Sequence, residues 1–217
     1  MTELRYDVLV SDGVRRQQSM RLPDGGPIVS SPLASTLILG QTEAVLVDPP
    51  FTREQVHAVG DWIEQWGKRL AYIYATHGHG DHWFGTDLLM RRFPGAVPYA
   101  TEGTIRLMHK QTTEGREQMW DVDDDTTVLH VPSIGLVVAG DVAYNGAHQY
   151  LLESVGGGIK KWLTRPDPVS PSRLVPATRS WWRARGPAGP SRSLRLLPVW
   201  ALGRRRRTLR TTAAMVL

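Results

Sequence analysis

The chain has 217 residues, enough for one sizeable domain with its own core. It contains no cysteine, which excludes disulfides and thiolate metal sites and leaves any transition metal to His, Asp and Glu. The net charge of +5 conceals a division: residues 163–217 carry 12 Arg, no Lys and one acid, Asp167, for +11, while residues 1–162 carry 14 basic and 20 acidic side chains, for −6.

The first twelve residues, Met1 to Asp12, include acids and no apolar run, unlike a signal peptide. No stretch approaches the roughly 18 apolar residues of a spanning helix, so a cytoplasmic protein without membrane contact is expected. Residues 5–10 alternate weakly, as an edge strand does. Residues 35–40 and 43–48 are β-rich runs joined by a Gly40-Gln41-Thr42 turn, and Asp48-Pro49-Pro50 stops the second. Thr52 then suits the N-cap of a helix running to about Gly67, with Val56, Val59, Ile63 and Trp66 at helical spacing. Residues 70–75 read as a buried strand that feeds a His-rich loop. A helix is expected over 82–93, ended by Pro94-Gly95, then a strand over 97–100 and a helix from Glu102 to about Trp120. Two strands, 126–131 and 135–139, follow around the turn Pro132-Ser133-Ile134. After Trp162 the composition changes to 7 prolines, the 12 arginines and several serines, without helical or strand periodicity. Such a segment buries too little apolar surface to offset its ordering entropy. Two regions are therefore expected: a domain over 1–162 and an Arg/Pro-rich tail over 163–217, disordered or loosely docked.

The chemistry concentrates in Thr76-His77-Gly78-His79-Gly80-Asp81-His82, which holds three of the seven histidines. Imidazoles this close repel one another when protonated, so a polar surface loop without metal leaves the clustering unexplained. A loop at a strand's C-terminal end projects several side chains into one cavity. His77 and His79, two apart, point the same way in extended backbone, and Gly78 and Gly80 let the chain bend between them. Carboxylate and imidazole donors together suit zinc, one or two ions, with iron or manganese as alternatives.

The pattern His77-x-His79-x-Asp81-His82 resembles the signature of the metallo-β-lactamase superfamily, which includes β-lactamases, glyoxalase-II-type thioesterases and lactonases. The approach from residues 43–48 through a helix to residues 70–76 is similar to that family's, and Val138-Ala139-Gly140-Asp141 resembles its strand ending in a metal-bridging aspartate. The resemblance covers about residues 30–160. It implies an α/β protein with the αββα sandwich, incomplete on its C-terminal side, and metal-dependent hydrolysis of a small-molecule substrate. By position, His77 and His79 would bind a first metal, Asp81 and His82 a second, and Asp141 would bridge them. A hydroxide held on the metal would attack an ester, thioester, lactone or amide carbonyl, with Asp81 orienting it.

Two further ligands of the family pattern have no counterpart. A third histidine for the first metal is missing from the region around Met119 to Thr127, where His109 and His130 read instead as surface or satisfied core residues. No histidine follows His148, so the last ligand is missing too. An internal deletion near Trp120 and a reading-frame change near Leu163 would account for both. Asp81, His82 and Asp141 still number three, the usual protein complement of a catalytic zinc, while the first site keeps His77, His79 and a share of Asp141. A metal-binding pseudoenzyme is thus the alternative to an enzyme. Asp121, Asp123, Asp124 and Asp125 read as a solvated acidic turn, His148 as a structural polar residue or a cleft residue, and Trp83 and Phe84 as pocket wall or plain core. Nonspecific nucleic-acid binding through the twelve arginines ranks below both readings, because nothing in the tail resembles a recognition module and the acidic body opposes a broad footprint. Oligomeric state is not legible in the sequence.

Overall fold

In the computed structural model the described residues are 4–15, 21–113 and 126–143, together with the backbone of three short strands at 173–176, 195–198 and 213–215. The elements run β1 (Arg5–Ser11), β2 (Leu33–Leu39), β3 (Glu43–Val47), α1 (Arg53–Gln65), β4 (Arg69–Tyr74), a 3₁₀ turn (Gly80–His82), α2 (Thr86–Arg92), β5 (Val97–Thr101) and α3 (Glu102–Thr113). They continue with β6 (Thr127–Val131), a 3₁₀ turn (Pro132–Ile134), β7 (Leu136–Gly140), β8 (Arg173–Pro176), β9 (Arg195–Pro198) and β10 (Ala213–Met215).

Two mixed sheets result, ordered β1-β2-β3-β4-β5-β10 and β8-β7-β6-β9. β1, β2 and β3 form an antiparallel meander. β3, β4 and β5 are parallel, connected through α1 and α2, because parallel neighbours require a crossover element. The alternation of side chains along each strand separates two cores. Leu37, Leu39, Leu46 and Ile73 face α1 and α2, where Val56, Val59, Ile63 and Leu89 meet them. Ile38, Val47 and Tyr74 point the opposite way and pack on Leu129, Val131, Leu136 and Val138 of the second sheet. Every residue of β2 is consequently buried, which explains why it reads as a continuous apolar run rather than an alternating one. Helix, sheet and second sheet are thus three of the four layers of an αββα sandwich. Any helix layer outside the second sheet falls beyond the described residues.

The N-cap at Thr52 is a full capping box. Its Oγ1 accepts from Gln55 N at 3.2 Å, while Gln55 Oε1 accepts from Thr52 N at 3.3 Å. α1 is held to α2 by Arg92, which donates to Glu64 and Asp61.

The expected helix over 82–93 is shorter. Residues 80–82 form a 3₁₀ turn and α2 begins at Thr86, because Trp83, with φ −152°, leaves helical backbone between them. α3 is described to Thr113, and the remainder of the helix expected to reach Trp120 lies outside the described residues, as do the acidic turn, His148 and the proposed deletion near Trp120. Within 163–217 three short strands are described. β8 and β9 flank the second sheet and β10 pairs with β5. The rest of that segment, and the proposed frame change near Leu163, lie outside the described residues. No helix among the described residues is long and apolar enough to cross a membrane.

Candidate metal centre

Three strand ends meet at one edge of the sandwich. β3 delivers Asp48, β4 delivers Thr76 and the His-rich loop, and β7 delivers Asp141. Inter-sheet bonds lock this junction. Thr127 N and Thr127 Oγ1 both donate to the Thr76 carbonyl, at 2.9 and 2.6 Å, so the start of β6 is pinned to the end of β4. Asp141 therefore reaches the loop across the gap between the two sheets.

One ligand atom each from His77, His79 and Asp141 lie within 4.8 Å of one another. His77 Nε2 stands 3.1 Å from His79 Nδ1 and 3.8 Å from Asp141 Oδ2. His82 Nε2 lies 3.3 Å from Asp141 Oδ1, and its ring centroid is 4.1 Å from that of His77. All three imidazoles are buried, whereas the Asp141 side chain is 28% exposed and opens the cluster to solvent. Asp81 sits in the 3₁₀ turn, and its Oδ1 is buried with no hydrogen bond among the described residues. Buried carboxylate oxygens without partners are costly, and a cation relieves that cost.

The donor spacing fits an ion. Two nitrogens bound at about 2.0–2.1 Å to one tetrahedral ion stand roughly 3.3 Å apart, close to the His77–His79 separation. Electrostatics agree. Burial pushes the His82 imidazole down, but Asp141, Asp48 and Asp81 around it outweigh burial and hold it well above its ordinary 6.5. Conversely, burial pushes Asp141 up, and His82, then His77 and His79, pull it below the usual carboxylate range. A site that stabilises a proton between three carboxylates is negatively biased, which is what a divalent cation requires.

Asp48 was not singled out in the sequence, where it read only as a strand stop before Pro49. In the structure it is buried, adopts φ 56°, and accepts from Thr76 N at 2.8 Å and Thr76 Oγ1 at 2.9 Å. Its Oδ2 lies 3.2 Å from His82 Nδ1. The available signal was an Asp at a strand end beside the loop, since Asp tolerates left-handed backbone better than most residues. Gly140 has φ 51°, and a Cβ there would stand 2.5 Å from Thr76 Oγ1, so only glycine lets β7 bring Asp141 this close.

Trp83 donates through Nε1 to the Gly78 carbonyl at 2.8 Å and packs beside Ala75, Ala100 and Met108. It braces the loop from behind. Phe84 is 38% exposed and fills the space where Gly80 lacks a side chain. His109 on α3 and His130 on β6 do not join the cluster, which among the described residues comprises His77, His79 and Asp141.

The metallo-beta-lactamase superfamily profile matches residues 32–131. The chain is 28% identical over 154 residues to a hydroxyacylglutathione hydrolase of Parasynechococcus marenigrum (strain WH8102), covering 61% of this chain and 60% of that protein. It is 38% identical over 90 residues to human (Homo sapiens) mitochondrial persulfide dioxygenase ETHE1, covering 37% of this chain and 35% of that protein. The chain thus spans less than two thirds of the length of either relative. Among solved structures it is similar to a metallo-beta-lactamase from Pontibacter korlensis, with TM-score 0.53, 15% identity, and coverage of 90% of this chain and 95% of that one. It is also similar to the metallo-beta-lactamase FIM-1 from Pseudomonas aeruginosa in its mono-zinc form, with TM-score 0.51, 14% identity, and coverage of 82% and 84%. These likenesses are of fold. Over residues 32–131 the chain is similar to the metallo-β-lactamase superfamily, and its three strand ends converging on one His-rich loop agree with that likeness.

Proposed function

We propose that this protein is a metal-dependent hydrolase that cleaves an ester, thioester, lactone or amide in a small molecule. The observation that carries the reading is the convergence of His77, His79 and Asp141 within 4.8 Å, with His82 and Asp81 beside them. His77, His79 and Asp141 form the most compact donor set. His82 and Asp81 supply a second set that shares Asp141. Zinc is the ion such donors favour, and it contributes Lewis acidity and an acidified water. Asp81, whose Oδ1 is buried without a hydrogen bond among the described residues, would orient the attacking water.

Two imidazoles and one carboxylate also suit ferrous iron, and the likeness to a protein named a dioxygenase favours testing that ion too. Elemental analysis of the purified chain, beside a His77→Ala, His79→Ala double variant, separates these readings. About one to two equivalents of zinc, lost in the variant, with turnover of generic esters, thioesters or lactones, supports the hydrolase. Bound iron without hydrolytic turnover supports the oxygenase. Metal without any turnover means a metal-binding pseudoenzyme. No bound metal even with zinc supplied overturns all three.

A further inference from the structure

Tyr74 puts a hydroxyl into an otherwise apolar layer. Its side chain is buried between the sheets with Ile38, Val47, Leu129 and Val138, where an aliphatic residue would fill space without desolvating a polar atom. The hydroxyl is bonded to Thr127 Oγ1 at 2.6 Å. Thr127 Oγ1 carries a single hydrogen, and that hydrogen is given to the Thr76 carbonyl, 2.6 Å away. The phenol must therefore be the donor to Thr127. Burial raises its pKa above the ordinary 10 and keeps that proton in place. A directed chain results, from Tyr74 O–H to Thr127 Oγ1 and from Thr127 O–H to the Thr76 carbonyl. Thr127 N–H reaches the same carbonyl at 2.9 Å, so both of its lone pairs are taken.

The Thr76 carbonyl and the His77 nitrogen share one planar peptide. Holding that carbonyl from two directions fixes the plane from which His77 departs into the centre. Thr127 opens β6, the antiparallel neighbour of β7, and Asp141 lies just beyond the end of β7. The grip on Thr76 is thus where the sheet carrying Asp141 meets the peptide carrying His77, whose Nε2 stands 3.8 Å from Asp141 Oδ2. We infer that Tyr74 is a positioning residue for the metal centre: its hydroxyl orients the Thr127 hydroxyl onto the Thr76 carbonyl and so sets His77 against Asp141 across the two sheets. The inference rests on the metal-centre reading, and it makes metal binding depend on Tyr74 and Thr127, which ligate nothing.

The test uses the full chain, reading zinc affinity by competition with a chromogenic chelator and, beside it, the ligand-field absorption of the cobalt-loaded protein. Tyr74→Phe removes only the hydroxyl, and Thr127→Val keeps the shape and the backbone N–H. Each should weaken zinc about 10-fold and shift the cobalt bands. The double variant should lose no more than either alone, because both act through one carbonyl, and Thr127→Ser should keep the affinity and spectrum of the parent. Should Thr127→Val fail to fold, Tyr74→Phe decides. Val128→Ala, the next residue of β6 but in a different cluster, should lower the urea midpoint without moving either reading. An equal loss of zinc affinity in Val128→Ala would reduce Tyr74 to a structural role and overturn the inference. So would additive losses in the double variant. Zinc binding within about twofold of the parent in Tyr74→Phe, with the cobalt bands unmoved, overturns it while leaving the proposed function intact. A parent chain that binds no metal overturns the function instead. The inference is then read on the metal-free chain from the amide ¹⁵N shift of His77, which responds to hydrogen bonds at the preceding carbonyl. A displacement common to Tyr74→Phe and Thr127→Val supports it, and an unchanged shift overturns it.

Discussion

His82 lies between Asp48 and Asp141, and these carboxylates favour its protonated form. Its raised pKa gives the metal-free chain stability that is complete below about pH 6.5 and is lost as pH rises through the raised value. Asp141, held low, contributes above its ordinary 3.8 and loses that contribution as pH falls through its lowered value. The metal-free protein should therefore unfold at progressively lower urea as pH rises above about 6.5, and zinc should flatten that decline by replacing the proton. A metal-free midpoint that stays level across this range would show that the proton is not held as described. The His-rich motif was legible here because histidines at that spacing have few other uses. Asp48 was not, because its importance comes from facing a residue 28 positions away, and no local pattern encodes that.

At the scale of elements, the helix and strand readings followed from local signals that survive folding. The N-cap at Thr52 is a reciprocal bond pair within four residues, so it could be read before any tertiary contact was known. Thr52→Ala should cost about 1 kcal/mol in urea unfolding, with zinc binding unchanged, because α1 lies on the face of the sheet opposite the second sheet. A loss of zinc affinity in that variant would mean that α1 is coupled to the loop. The start of α2 was misplaced because a 3₁₀ turn and a helix share their first hydrogen-bonding residues. What separates them is Trp83, which leaves helical backbone and packs its indole beside Ala75, Ala100 and Met108, a contact between elements.

Across the whole molecule, the central sheet is buried on both faces, by helices on one and by the second sheet on the other. Ile73→Ala should therefore destabilise by about 2–5 kcal/mol, since Ile73 is almost fully buried against α1 and α2. Arg69→Ala, which removes an exposed ion pair with Glu43 on the same pair of strands, should cost under about 1 kcal/mol. Equal losses in the two variants would contradict the layered core. By itself the sequence determined the element order through residue 113 and the ligand-rich loop with its donor types, because these depend on local periodicity and on residue types few folds employ. The resemblance already brought Asp141 to the loop; only the tertiary structure decided that His82 lies between two carboxylates and that Asp48 and Thr76 belong to the centre. The reason is physical: these contacts join the ends of strands from two sheets, and their distances follow from sheet packing rather than from spacing along the chain.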